Sequence, residues 1–237
     1  MIASITAPSQ ANYTNRQYNN PDDILARRGI LRQAQAMGWK YSAGVWNYPV
    51  YDDSGEQLTY RTKNTNSDAK YKYTWKPSKN GAKYYHDTRI RIAIGKADGM
   101  LFVANGEPSV LAYHASGIYN VLSWFGEGAM PSTIADDFAE LQVKHVIYIP
   151  DNDNAGRNSA VKLRDALHNT DIQLTVKDIS SYVAHKADTN DLWIACDFDP
   201  TRYKNSIQAM PQLILPTYDP PKPKPVYNLI PTDNTEA

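Results

Sequence analysis

The sequence predicts an α/β protein: a parallel sheet with helices on both faces, preceded by a smaller α+β subdomain. Two observations carry this reading. From Met100 onward, short apolar runs alternate with helical segments in a βαβαβαβ order; that order is the one expected of parallel strands joined by crossover helices. Before Met100 the chain instead shows turn-bounded strands of period two, rich in Lys, Arg and Tyr, as in a hairpin-built sheet.

Composition sets the bounds. A chain of 237 residues accommodates one large domain or two small ones, and a hydrophobic share of 42% supports a packed core. No apolar run approaches the length of a membrane span. The opening Met-Ile-Ala-Ser-Ile-Thr-Ala has no basic flank followed by an apolar stretch, so it does not read as a secretory signal. Cys196 is the lone cysteine, which argues against a disulfide framework or a cysteine zinc ribbon. The expected location is cytoplasmic, with no membrane partner. The 25 basic and 25 acidic residues cancel, but residues 61–91 are basic and acids gather at 136–137, 151–153 and 188–199. A local basic face can bind nucleic acid despite overall neutrality.

Taken in order, residues 1–19 are polar and without periodicity, which predicts a flexible arm. Asn20-Pro21-Asp22-Asp23 is a helix start, with a capping Asn, Pro at the first helical position and acids in the first turn. That helix ends at Arg27-Arg28-Gly29, and a second covers Leu31–Met37, closed by Gly38. Alternation over Val45–Tyr51, the turn Asp52-Asp53-Ser54-Gly55 and a second run over Gln57–Lys63 predict a β-hairpin. Lys70–Trp75 and, less regularly, Thr88–Ile94 read as further strands.

In the second half the strands are Met100–Ala104, Asn120–Trp124, His145–Ile149 and Ile172–Lys177. The helices are Pro108–Ser116, Ser132–Leu141, Ala155–His168, Asp188–Ala195 and Tyr203–Met210. The expected organisation is an arm (1–19), a basic α+β subdomain (20–98), the parallel-sheet domain (99–195) and a helical extension (196–215). A Pro-rich tail (216–237), containing Pro220-Pro221-Lys222-Pro223-Lys224-Pro225, should stay extended or disordered.

Carboxylates recur at the ends of the parallel strands: Glu107, then Asp151 and Asp153, then Asp188 and Asp191. Parallel strands bring those ends to one edge, where open sheets place ligands. The five could form one cluster suited to Mg²⁺, which takes oxygen ligands and bridges to phosphates. Each also has a plainer explanation. Asp151-Asn152-Asp153-Asn154 suits a polar turn with a helix cap, Asp188 and Asp191 a cap and first-turn acid, and Glu107 a first-turn acid. A calcium loop fails on counting, since Lys162 stands where a bidentate Glu is needed.

Together, Glu107, Gly117-Ile118, Asp151-x-Asp153-x-Ala155-Gly156 and Lys186-x-Asp188-x-x-Asp191 resemble a TOPRIM domain, the catalytic module of bacterial-type primases, topoisomerases and some nucleases. The resemblance implies a Rossmann-like parallel sheet with flanking helices. It also implies Glu107 as general acid/base, and Asp151, Asp153, Asp188 and Asp191, with Glu107, as ligands of Mg²⁺ or Mn²⁺. Two features depart from the pattern. Glu107 is followed by Pro108 and not Gly, and Leu111 stands where primases often carry a further Asp.

The first half is similar to the catalytic core of DnaG-like primases. Ala26-Arg27-Arg28-Gly29-Ile30 resembles the Arg-Gly helix end that opens that core, and Asn47–Gly55 its strand–turn–strand. Arg61, Lys63 and Lys70-Tyr71 resemble its basic positions. The similarity runs from about residue 21 to about residue 215. Read from the residues alone, cations interleaved with aromatic rings suit a single strand or a nucleotide. An edge strand guarded by Lys explains them as well. Arg61, Lys63, Lys70, Tyr71, Lys72 and Lys186 are the candidate nucleic-acid or nucleotide contacts, with Arg61 and Lys70 also candidate catalytic groups.

The activity implied is that of a Mg²⁺-dependent DNA-directed RNA polymerase, making primers from ribonucleoside triphosphates on single-stranded DNA. Primases of this kind usually add a zinc ribbon and a helicase-facing module, neither of which this sequence shows. A minimal primase of a plasmid, phage or mobile element, with a replicative helicase as partner, is the resulting expectation. The alternatives are a TOPRIM nuclease using the same carboxylates, or a degenerate TOPRIM protein that binds single-stranded DNA in replication.

Overall fold

The computed structural model describes residues 21–65, 69–126 and 128–218. The predicted arm, the Asn20 cap and the run Pro220–Pro225 lie outside them.

Helix α1 (Pro21–Arg27) and helix α2 (Leu31–Ala36) are joined through Gly29. Gly29 sits at φ +65°, and a Cβ there would come within 2.3 Å of Phe198 and 2.7 Å of Trp193. The turn therefore needs glycine for its backbone and for its packing. A four-stranded antiparallel sheet follows, β1 (Lys40–Ser42), β2 (Val45–Tyr51), β3 (Gln57–Asn64) and β4 (Tyr73–Lys76), in that order. The predicted hairpin is β2–β3, where Asp52 accepts bonds from the Ser54 and Glu56 amides across the turn. Strand β1 was not anticipated. Its turn, Ala43-Gly44, has both residues at positive φ, the geometry of a tight hairpin.

The second sheet holds β5 (Tyr84–His86), β6 (Met100–Ala104), β7 (Val121–Trp124), β8 (His145–Tyr148) and β9 (Gln173–Val176), in the order β5-β7-β6-β8-β9. Strands β6 to β9 run parallel, as predicted, and β5 adds an antiparallel edge to β7. The helices are α3 (Ile90–Lys96), α4 (Glu107–Ala115), α5 (Ile134–Glu140), α6 (Asn154–Leu167), α7 (Thr189–Ala195) and α8 (Pro200–Ala209).

Helix α3 corrects the reading of Thr88–Ile94 as a strand. Strand alternation would place Ile90, Ile92 and Ile94 on one face. Instead Ile90 and Ile94 are buried while Ile92 is 58% exposed, as one helical turn dictates.

Alternation along the parallel strands divides the core. Leu101, Val103, Val146, Tyr148 and Val176 face one apolar cluster with α3, α5 and α6. Phe102, Ala104, Ile147 and Ile149 face the other, with α4, α7 and α8. That second cluster also takes Leu25, Ile30, Trp39, Trp46 and Tyr48 from the first subdomain. The antiparallel sheet is thereby packed beside the carboxyl ends of the parallel one. Among the described residues no helix is long and apolar enough to cross a membrane.

Candidate active-site cleft

The carboxyl end of β8 runs through Ile149 and Pro150 into Asp151. Asn105, at the end of β6, donates from Nδ2 to Asp151 Oδ1 at 2.7 Å and accepts from the Tyr148 hydroxyl at 2.5 Å. Asp153 caps α6, its Oδ1 accepting from the Gly156 amide at 2.8 Å. Gly156 is confined by that turn: a Cβ would stand 2.4 Å from the Asp151 carbonyl oxygen. Gly156 is thus dictated by how closely α6 meets the acidic loop.

Asp188 caps α7, accepting from the Asn190 and Asp191 amides, while Asp191 accepts in return from the Asp188 amide. This is a capping box built from two carboxylates. Burial pushes the Asp188 carboxyl above its ordinary range, and the charge of Asp191 adds to the effect. Asn152 stitches the two acidic loops together. Its amide donates to the Ala187 carbonyl, its carbonyl accepts from the Lys186 amide, both at 3.0 Å, and its side chain donates to Val183 and Ala184.

Glu107 behaves differently. It lies in the first turn of α4 and is 4% exposed. Arg61 Nη1 donates to its Oε1 at 2.5 Å, and the Tyr48 hydroxyl donates to the same oxygen at 2.9 Å. Tyr48 and Arg61 are directly opposite each other on β2 and β3. The Arg61 guanidinium is also enclosed by the rings of Tyr73, Phe125 and Trp75.

The five carboxylates predicted as one cluster are therefore divided. Asp151, Asp153, Asp188 and Asp191 occupy two stitched loops, whereas Glu107 is paired with Arg61. Among the described residues no three His, Cys, Asp or Glu side chains close on a single ion-sized position. The loop donors are all carboxylate oxygens, which fit a hard cation such as Mg²⁺ or Mn²⁺. Glu107, already bonded to a guanidinium, fits less well.

Beside these loops is a cleft of about 470 Å³, lined by Arg28, Lys63, Lys72, Trp39, Trp46 and Pro108 among others. Pro108 adjoins Glu107 in the chain, and Arg28, which lines the cleft, is bonded to Asn190 between Asp188 and Asp191. Lys63 is half-buried, and its pKa is lowered to about 8, by burial first and then by Arg28, with Lys72 adding to it. Arg28 was not among the predicted site residues. Asn190 holds it from α7: Arg28 Nη1 donates to Asn190 Oδ1 at 3.4 Å, and Asn190 Nδ2 donates to the Arg28 carbonyl at 3.3 Å. The Arg-Gly helix end was visible in the sequence, but nothing local linked it to α7.

Of the other predicted contacts, Lys72 lines the cleft and Arg61 is buried away from solvent. Lys70 and Tyr71 are exposed, with Lys70 Nζ 5.3 Å from the Tyr71 ring. Lys186 is exposed on the acidic loop, at φ +66°.

Residues 103–193 match the Toprim-like family. No curated protein matches the sequence. Among solved structures, the zinc-binding and RNA polymerase domains of the Aquifex aeolicus primase match at a TM-score of 0.58 and 19% identity, over 81% of this chain and 49% of that one. The RNA polymerase domain of the Mycobacterium tuberculosis primase DnaG, in complex with double-stranded DNA, matches at 0.58 and 19%, over 79% and 63%. A DnaG primase catalytic domain bound to single-stranded DNA matches at 0.55 and 17%, over 82% and 61%. The chain spans less than two thirds of each of these proteins. Residues 103–193 are similar to a Toprim-like domain, and the chain shares the fold of DnaG-type primase catalytic cores.

Proposed function

We propose that the chain is a primase-like nucleotidyltransferase that makes short RNA primers on single-stranded DNA. The observation that carries this reading is the cationic cleft of Arg28, Lys63 and Lys72, tied through Arg28 and Asn190 to the acidic 188–191 loop, which Asn152 stitches to the 151–153 loop. Phosphate esters need cations to bind and a charge-stabilising centre to react. The likeness to primase cores solved with single-stranded and double-stranded DNA supports nucleic acid as the ligand.

In the proposed reaction a primer 3′-hydroxyl attacks the α-phosphate of a ribonucleoside triphosphate and pyrophosphate leaves. Arg28, Lys63 and Lys72 would hold phosphates of the template or incoming nucleotide, over an apolar floor of Trp39 and Trp46. Exposed Lys70 and Tyr71 would extend the contact along a strand, the amine on phosphate and the ring on a base. Lys186 would add a cation from the acidic loop. Asp151, Asp153, Asp188 and Asp191 would hold Mg²⁺ or Mn²⁺, which supplies Lewis-acid stabilisation of phosphoryl oxygens when bound. Asn190 would keep Arg28 aligned with those carboxylates.

The test is incubation with single-stranded DNA, labelled ribonucleotides and Mg²⁺ or Mn²⁺, beside an Asp151→Asn/Asp153→Asn variant. Short labelled products from the wild type alone are expected. Shortened template would point to a nuclease using the same carboxylates. DNA binding with no product, unchanged in the variant, would overturn both enzymatic readings. That last outcome has one observation in its favour: Leu111, at the position where primases often carry a further Asp, is wholly buried and supplies no carboxylate.

A further inference from the structure

Arg61 and Glu107 are both buried, at 7% and 4% exposure, and their pair joins β3 of the antiparallel sheet to helix α4, which follows β6 of the parallel one. The guanidinium is fixed on several sides. Its Nη1 bonds Glu107, its Nη2 donates to the Phe125 carbonyl at 3.3 Å, and its Cζ lies 4.4, 4.6 and 5.2 Å from the rings of Tyr73, Phe125 and Trp75. Tyr48, the second donor to Glu107, is itself stacked on Trp39 with centroids 4.2 Å apart and planes 8° from parallel. One turn further along α4, Leu111 is wholly buried and contributes no carboxylate. Helix α4 therefore presents one acid to the centre, and that acid already has a cation.

We infer that Arg61 occupies the cation position beside Glu107, so that Glu107 anchors the two sheets together and the divalent ion is held by the 151–153 and 188–191 loops without it. The inference rests on the metal-dependent function proposed above. A guanidinium does not deprotonate in a protein. A divalent ion on the same carboxylate would face a fixed like charge in a poorly hydrated site. In the loops, the caps made by Asp153 and Asp188 both use Oδ1, leaving Oδ2 outside the cap. Arg61 is accordingly a positioning residue and not a phosphate ligand.

Mn²⁺ titration of the full chain, read by the paramagnetic resonance of the free ion, tests the metal half. Asn substitutions suit the loop residues because Asn also caps helices. Asp153→Asn and Asp188→Asn should weaken binding about tenfold or more, and Glu107→Gln by no more than about threefold. Thermal denaturation tests the anchor half. Arg61→Met should lower the midpoint by roughly 6–20 °C, because it strands a buried carboxylate. Adding Glu107→Gln should return most of that loss.

A Glu107→Gln variant as weak for Mn²⁺ as Asp153→Asn overturns this inference alone. A double variant no more stable than Arg61→Met also overturns it, since Arg61 would then act through packing. Absence of any Mn²⁺ binding by the wild type overturns it together with the metal-dependent function.

Discussion

Lys63 is a cation placed among cations, with its pKa lowered to about 8 from the usual 10.5 by burial, Arg28 and Lys72. In the folded chain it loses its proton near pH 8, and in the unfolded chain only near 10.5. Below pH 8 holding the proton in the fold is therefore destabilising, and that cost is relieved as pH rises from 8 towards 10.5. Anion binding runs the other way, because an incoming phosphate needs the charged amine. Affinity for a labelled single-stranded oligonucleotide, followed by fluorescence anisotropy, should fall between pH 7 and pH 9. Lys63→Gln should flatten that fall and lower the slope of log affinity against log salt by about one. An unchanged pH profile in the variant would place Lys63 outside the contact.

At the scale of elements, the N-terminus of α7 does two jobs within a few residues. Asp188 and Asp191 close its capping box, and Asn190 between them, 1% exposed, grips Arg28 at the end of α1. The helix thereby ties the acidic loop to the basic cleft. Asn190→Ala leaves the Arg28 carbonyl and guanidinium without those bonds, which should cost about 1–3 kcal/mol. DNA affinity should drop with it, while the Asp188–Asp191 box, built on backbone amides, survives. Chemical denaturation and anisotropy on the same variant check both outcomes. A stability loss with DNA affinity intact would make Asn190 a purely structural residue. The elements that the sequence misrepresented, β1, β5 and α3, have three, three and seven residues. Such lengths hold too few periods to separate alternation from helical spacing, and tertiary partners decide them: β2 for β1, β7 for β5 and the parallel sheet for α3.

Across the molecule, one apolar cluster runs from Leu25 and Trp39 in the first subdomain to Ile147 and Tyr203 in the second, so the two sheets share a core. Buried imidazoles lie at its margins. His114 is 4% exposed, its Nε2 has no hydrogen-bond partner, and its pKa is lowered to about 4, chiefly by burial. His86 is lowered for the same first reason. A histidine kept neutral in the fold takes up its proton near pH 6.5 only when the chain unfolds. Its stabilising contribution is therefore complete above pH 6.5 and is lost as pH falls towards 4. The thermal midpoint should decline over that window, and His114→Leu, which removes the unpartnered nitrogen, should make the decline shallower. A variant with the same slope as the wild type would assign the acid sensitivity to other groups.

Local chemistry determined much of this protein. Apolar alternation placed Leu101 and Val103 on one face and Phe102 and Ala104 on the other. The turn-forming Asp52–Gly55, the caps Asp153 and Asp188, and the acids at the strand ends were likewise written within a few residues of where they act. Tertiary structure alone decided which charges meet. Arg61 and Glu107 are 46 residues apart, and Arg28 and Asn190 are 162 apart. Neither pair leaves a local signal, because a basic residue on a strand reads the same whether it faces a phosphate or a buried carboxylate. The fold chose the carboxylate for Arg61 and the open cleft for Arg28, since Arg61 is buried against Glu107 at the start of α4 whereas Arg28, past the end of α1, lines the cleft.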